Sequence, residues 1–134
     1  MRSTSFWLEE MMGEQTGQSL RVFVIEDDRD ALTGTLRMLR LLGHWAAGVS
    51  SAEAALDRFF EGAFDVLLVD MNLPGLSGLD VARRLSAREH LPVIFASGAM
   101  PPADGTEGAL WLSKPYTIEQ LRAALASCRD VPRS

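Results

Sequence analysis

The chain has 134 residues, 47% of them apolar, and a formal net charge of −5. That length suits one domain with a real core, and the composition is that of a globular chain, not a disordered one. The acidic balance disfavours nucleic acid as a primary partner, because DNA binding relies on clustered Lys and Arg to neutralise phosphates, and the only adjacent basic pair is Arg83-Arg84. No stretch approaches the ~20 apolar residues of a membrane span, and the N-terminus lacks the basic region and apolar core of a signal peptide. A single cysteine, Cys128, precludes an intrachain disulfide and fits a reducing, cytoplasmic setting, where it reads as a small apolar residue on a helix face.

Residues 1–19 differ from the rest. Gly13, Gly17 and several Ser, Thr and Gln residues surround one amphipathic patch, Phe6-Trp7-Leu8 with Met11-Met12. They read as an extension outside the core, with a short helix starting after Ser5. An exposed Phe-Trp-Leu cluster is costly, so it is expected to dock on the domain or on a partner.

From Leu20 the chain alternates. Residues 20–25 form a β-rich apolar run; 29–42 repeat Leu32, Leu36 and Leu39 at helical spacing and stop at Gly43. Residues 45–49 are a weak strand. Ser50 with Glu53 is a capping box that opens a helix through Ala55, Leu56 and Phe59 to Gly62. Phe64 to Val69 is a strand ending at Asp70, followed by a Pro74-Gly75 turn. Residues 78–87 carry Leu79, Ala82 and Leu85 on one helical face. Residues 92–96 and 110–112 are strands. Thr117 with Gln120 is a second capping box, opening a stripe of Ile118, Leu121, Leu125 and Cys128. His44 and His90 flank turns and read as surface residues. Between strands four and five, residues 98–109 hold Pro101, Pro102 and three glycines, which argues for a loop or a single turn.

Strands alternating with helices, and strands that are apolar throughout, predict a parallel sheet covered on both faces. Ligands of open α/β sheets bind at the carboxyl ends of the strands. Those ends carry Glu26-Asp27-Asp28, Asp70, Ser97 and Lys114-Pro115. A carboxylate, an acidic cluster and a lysine suit a divalent cation and a phosphoryl group. Each residue also has a plainer reading: Asp70 as a turn residue, Asp28 as the N-cap of the first helix, Lys114 as a solvated lysine, Trp111 as core. For Asp28 the capping role is the one expected.

Four ordered pieces then resemble the receiver domain of bacterial two-component response regulators: residues 22–28, VFVIEDD; 65–78, DVLLVDMNLPGLSG; 92–98, PVIFASG; and 112–116, LSKPY. The resemblance covers residues 20–128. It implies an α/β, flavodoxin-like, doubly wound five-stranded parallel sheet in order 2-1-3-4-5. It implies a domain over residues 20–130, with 1–19 as an N-terminal extension and 131–134 as a tail. Asp70 matches the phosphoacceptor and Asp27 the main Mg²⁺ ligand. Glu26 matches a ligand acting through water, and the backbone carbonyl of Asn72 completes the protein's share of the metal shell. Lys114 and Ser97 match the groups that meet the phosphoryl oxygens, and Ser97 and Trp111 occupy the places of the switch pair. The implied partners are a sensor histidine kinase or histidine phosphotransfer protein and a downstream protein target, with a second copy of the chain as a further candidate. No nucleic acid or membrane is expected to be bound directly.

Two departures stand out. Ser97 to Lys114 spans 17 positions, several fewer than in most receivers. With Phe95-Ala96-Ser97-Gly98 this resembles a receiver subfamily with a Phe-Ala-Thr-Gly signature and a shortened fourth helix, which argues against the dimer many receivers build on that face. Ala99 stands where a polar side chain often orients the hydrolytic water, so no such help is expected. Few residues follow Cys128, which predicts a stand-alone receiver that phosphorylates and dephosphorylates itself but is not otherwise an enzyme. One rival is a pseudo-receiver that binds without phosphorylation; the complete set of acids, acceptor, hydroxyl and lysine speaks against it. A second is an Asp-nucleophile phosphatase, which needs an acid two residues after Asp70, where this chain has Asn72. A nucleotide binder lacks its Gly-rich loop after strand one.

Overall fold

The computed structural model describes residues 19–102 and 106–129. The short helix expected after Ser5 lies outside them. Five parallel strands run β1 (Arg21–Ile25), β2 (Trp45–Val49), β3 (Val66–Asp70), β4 (Val93–Ser97) and β5 (Leu110–Ser113), in the spatial order 2-1-3-4-5. Four helices accompany them among the described residues: α1 (Arg29–Leu41), α2 (Ala52–Arg58), α3 (Gly78–Arg88) and α4 (Ile118–Arg129). Among the described residues no helix is long and apolar enough to cross a membrane.

The apolar strands produce two cores. Alternate side chains of a strand point to opposite faces. Phe23, Ile25, Leu67, Val69 and Phe95 therefore pack with α2 and α3, while Val22, Val24, Leu68, Ile94 and Leu112 pack with α1 and α4. All five residues of β3 are buried, as a central strand covered on both faces requires. The expected loop between β4 and β5 holds: no helix occurs there among the described residues, and Ala109 N–H closes a turn on Thr106 O at 3.0 Å.

The helix ends follow local chemistry. Asp28 Oδ1 accepts from Ala31 N–H at 3.0 Å, so it is the N-cap of α1, as expected. Thr117 and Gln120 exchange both bonds of a capping box. The cap of α2 is Ser51 rather than the expected Ser50: Ser51 Oγ accepts from Ala54 N–H at 3.0 Å. Two adjacent serines make the register ambiguous in sequence, and here the second one adopts the extended cap backbone.

His44 corrects a second expectation, because it is buried. Gly43, at φ +88°, closes α1 by sending its N–H to Arg40 O while His44 N–H reaches Leu39 O, both at 3.0 Å. This Schellman motif turns the His44 ring inward, where Nδ1 accepts from Leu20 N–H at 3.0 Å. His90, by contrast, is exposed as expected. Burial, with Arg129 nearby, holds the His44 imidazole below its ordinary value. The unfolded chain therefore binds a proton at a pH where the folded state resists it. Its contribution is complete above pH ~6.5 and is lost as pH falls toward the lowered folded value. Denaturant melts at pH 7.5 and 5.5 check this: the wild type should lose more stability on acidification than His44→Asn, whose amide oxygen can still accept from Leu20.

Candidate functional site

The order 2-1-3-4-5 puts the chain's reversal between β1 and β3, and the crevice at that point opens outside the strands' carboxyl ends. β1 delivers Glu26 and Asp27 there and β3 delivers Asp70. The carboxylate oxygens of these three residues lie within 4.8 Å of one another, with Glu26 and Asp70 buried and Asp27 exposed. From β5, Lys114 Nζ donates to Glu26 Oε1 at 2.5 Å and stands 3.5 Å from Asp70 Oδ2. The sequence-predicted acids and lysine thus converge, with Lys114 closer to Glu26 than to Asp70. The Lys114-Pro115 peptide is cis.

Backbone bonds hold these side chains in place. Asn72 N–H donates to Asp70 Oδ1 at 3.0 Å, so Asp70 does serve its own turn as well as facing the acids. Met71 N–H donates to Ala96 O, and Lys114 N–H to Ser97 O at 2.9 Å, tying the ends of β3, β4 and β5 together. Ser97 follows Ala96, the register partner of Asp70, and is 2% exposed. Its hydroxyl accepts from Ala99 N–H at 3.0 Å. Trp111 pairs with Phe95 in the sheet, and its ring lies 6.4 Å from the Phe95 ring on the α2–α3 face. Its indole N–H is buried without a hydrogen-bond partner.

The two coupled carboxyls are driven apart. Burial alone would raise Asp70, but bonds to Glu26 and the Asn72 N–H, with the Lys114 charge, outweigh it and hold Asp70 below the usual carboxylate range. Burial raises Glu26; Lys114 opposes this and the contact with Asp70 reinforces it, leaving Glu26 above its ordinary value. Burial likewise works against the charged Lys114, yet Glu26 and Asp70 together raise it. Asp70 is therefore the carboxylate held ionised, the form a nucleophile needs.

Three site-related contacts escaped the sequence reading. Thr35 and Tyr116 hydroxyls meet at 2.5 Å, joining α1 to the turn that carries Lys114. Ser77 caps α3 by accepting from Asp80 N–H at 3.1 Å; Ser77 with Asp80 three residues on was a legible signal. Gly78 lies directly against the backbone of Asp70 and Met71.

Comparison with known proteins agrees with this geometry. The model of the response regulator receiver domain family matches residues 22–126. The virulence sensor protein BvgS of Bordetella pertussis is 37% identical over 120 residues, covering 80% of this chain and 10% of that protein. The sensory transduction protein RegX3 of Mycobacterium tuberculosis is 32% identical over 109 residues, covering 78% of this chain and 48% of its own length. The chain thus spans about a tenth to a half of these curated relatives. A response regulator receiver domain protein from Clostridium thermocellum superposes with a TM-score of 0.73 at 28% identity, over 83% of this chain and 94% of that one. With the sheet order, the clustered acids and a family match over most of its length, this chain belongs to the response regulator receiver domain family.

Proposed function

We propose that this receiver accepts a phosphoryl group on Asp70 from a histidine kinase or histidine phosphotransfer protein and signals by protein contact. The observation that carries the reading is a buried aspartate set beside two further carboxylates and a lysine at the switch point of the sheet. An Asp70 oxygen attacks phosphorus, an acyl phosphate forms, and the bond from phosphorus to the donor's nitrogen or oxygen breaks, leaving with the donor. Oδ1 is held by the Asn72 N–H and Oδ2 faces Lys114. The ammonium is therefore placed to offset charge on the transferring group.

The donor set of three carboxylates, with no nitrogen or sulfur ligand among them, fits a hard cation such as Mg²⁺. Asp27, Asp70, the Asn72 carbonyl and, through water, Glu26 would hold it. When bound, the ion supplies positive charge to the phosphoryl oxygens. Ser97 takes the role of the hydroxyl that bonds the modified aspartate. Trp111 takes that of the switch aromatic; its unpartnered indole N–H is a reason for the ring to have a second position. Phe95-Ala96-Ser97-Gly98 and the absence of a helix between β4 and β5 among the described residues support the subfamily with a shortened fourth helix. The family match at 22–126 supports a domain over 20–130, with 1–19 and 131–134 flanking it. A net charge of −5 supports protein contact over nucleic acid as the output. The reading places the protein in the cytoplasm, where its donor kinase would act.

Titration with beryllofluoride or acetyl phosphate plus Mg²⁺, followed by NMR, tests this. Amide signals around Asp70, Ser97 and Lys114 should move, and only with Mg²⁺. A silent site would favour the pseudo-receiver, and sustained turnover of a phosphate ester would favour the phosphatase.

A further inference from the structure

Away from this site, the face of the sheet under α2 is incompletely covered. On the edge strand β2, Trp45, Ala47 and Val49 share that face, opposite Arg21, Phe23 and Ile25 of β1. Helix α2 follows the carboxyl end of β2 and has only 7 residues. It is thus about 10 Å long at 1.5 Å per residue, against about 17 Å for a five-residue strand. The helix covers Val49, which is buried, and stops before Trp45, which is 74% exposed. A groove of about 270 Å³ remains there, lined by Arg21, Trp45, Ala46, Ala47, Ala63 and Phe64. Its volume is just below the roughly 300–1,000 Å³ of small-molecule sites, so it suits one or two inserted side chains better than a cofactor. Phe64 continues inward as an aromatic cluster, 4.6 Å from Phe23 and 5.9 Å from Phe59.

We infer that this groove is the docking site of the chain's own N-terminal segment, seated through one or two large side chains of the patch formed by Phe6, Trp7, Leu8, Met11 and Met12. The point of attachment argues for it. Ser19 Oγ donates to Gly43 O at 2.5 Å, Leu20 N–H to His44 Nδ1, and Trp45 N–H to Leu20 O at 2.9 Å. Residues 1–18 therefore join the domain beside Trp45 and one residue from the groove-lining Arg21. Leu20 lies eight positions after Met12, a tether that spans at most about 28 Å. A tether this short gives the segment a millimolar-scale effective concentration at the groove, which an untethered second copy lacks. The patch of Phe6, Trp7, Leu8, Met11 and Met12 gathers five large apolar residues without a buried partner of their own in the sequence pattern, and the groove presents an exposed indole and an open aromatic floor.

The full chain tests this. Cys128 is buried and burial pushes its thiol up to about 12, so a nitroxide reagent will modify only the new thiol of Gly13→Cys. A segment docked most of the time should cost the amide signals of Trp45, Ala47, Ala63 and Phe64 about twofold or more of their intensity relative to the reduced label. Adding Phe6→Ser and Trp7→Ser should restore them, as should Trp45→Ala, which removes an exposed side chain and leaves the core intact. No broadening at the groove, or broadening of another face, overturns the inference. Broadening in a mixture of labelled unenriched and unlabelled ¹⁵N-enriched protein also overturns it, by assigning the groove to a second copy.

Discussion

Asp70→Asn should lose acid-stable, Mg²⁺-dependent labelling by acetyl phosphate by more than about 100-fold, because removing a nucleophile outright costs about 10⁴–10⁶ in rate in enzymes. The substitution keeps the shape. The Asn72 N–H can still donate to the side-chain oxygen it meets at 3.0 Å, and the Lys114–Glu26 pair remains. Stability at pH 7 should fall slightly, since the contacts that favour the ionised Asp70 in the folded state outweigh its burial and are weakened, an effect offset in part by the loss of one of three clustered carboxylates. A second readout separates a lost acceptor from a disturbed site. Asp70 is one of the influences that raise Glu26, so the Glu26 carboxyl carbon should titrate at lower pH in the variant. Labelling that persists in Asp70→Asn would move the acceptor to Asp27 or Glu26 and overturn the assignment.

That prediction rests on residues the sequence already brought forward, and physical reasons explain which features were legible. Strand-end residues are easy to read, because a buried run has a sharp end and the topology alone carries that end to the crevice. Asp27, Asp70 and Lys114 needed only the sheet order to meet. What required coordinates was contact between side chains far apart in the chain. Thr35 and Tyr116 lie 81 positions apart, and neither is unusual in its own segment. His44 looked like a turn residue because its burial depends on a Schellman motif and on the Leu20 N–H arriving from another element. The cap of α2 slipped by one residue because Ser50 and Ser51 offer the same hydroxyl. The bare end of the sheet at Trp45 follows from the length of α2, and sequence patterns fix the ends of so short a helix poorly.

Gly78→Ala carries the other large effect, and its sign is decided by space rather than propensity. On helix propensity alone, Ala in place of Gly at the start of α3 should stabilise by up to about 1 kcal/mol. A β-carbon there would stand 2.1 Å from Asp70 O, 2.7 Å from Met71 Cα and 2.8 Å from the Asp70 carbonyl carbon. All three atoms are backbone, so no rotamer change relieves the overlap, and Gly78 N–H is itself bonded to Met71 O at 3.0 Å. Either the first turn of α3 moves out or the end of β3 moves back, by about 1 Å in both cases. Overpacking of this kind costs about 1–3 kcal/mol or more, outweighing the propensity gain. The melting temperature should fall by several degrees, at about 4 °C per kcal/mol. Because the overlap falls on Asp70 itself, the acetyl phosphate labelling rate should also fall about 10-fold or more, since a 1 Å misplacement can cost 100-fold. Gly34→Ala is the control. It lies inside α1 with nothing within 4 Å of the added carbon, and should melt at or above the wild type with unchanged labelling. If Gly78→Ala behaves like Gly34→Ala, the close seat of α3 on the acceptor strand is wrong, and with it the account of how the Asp70 backbone is held.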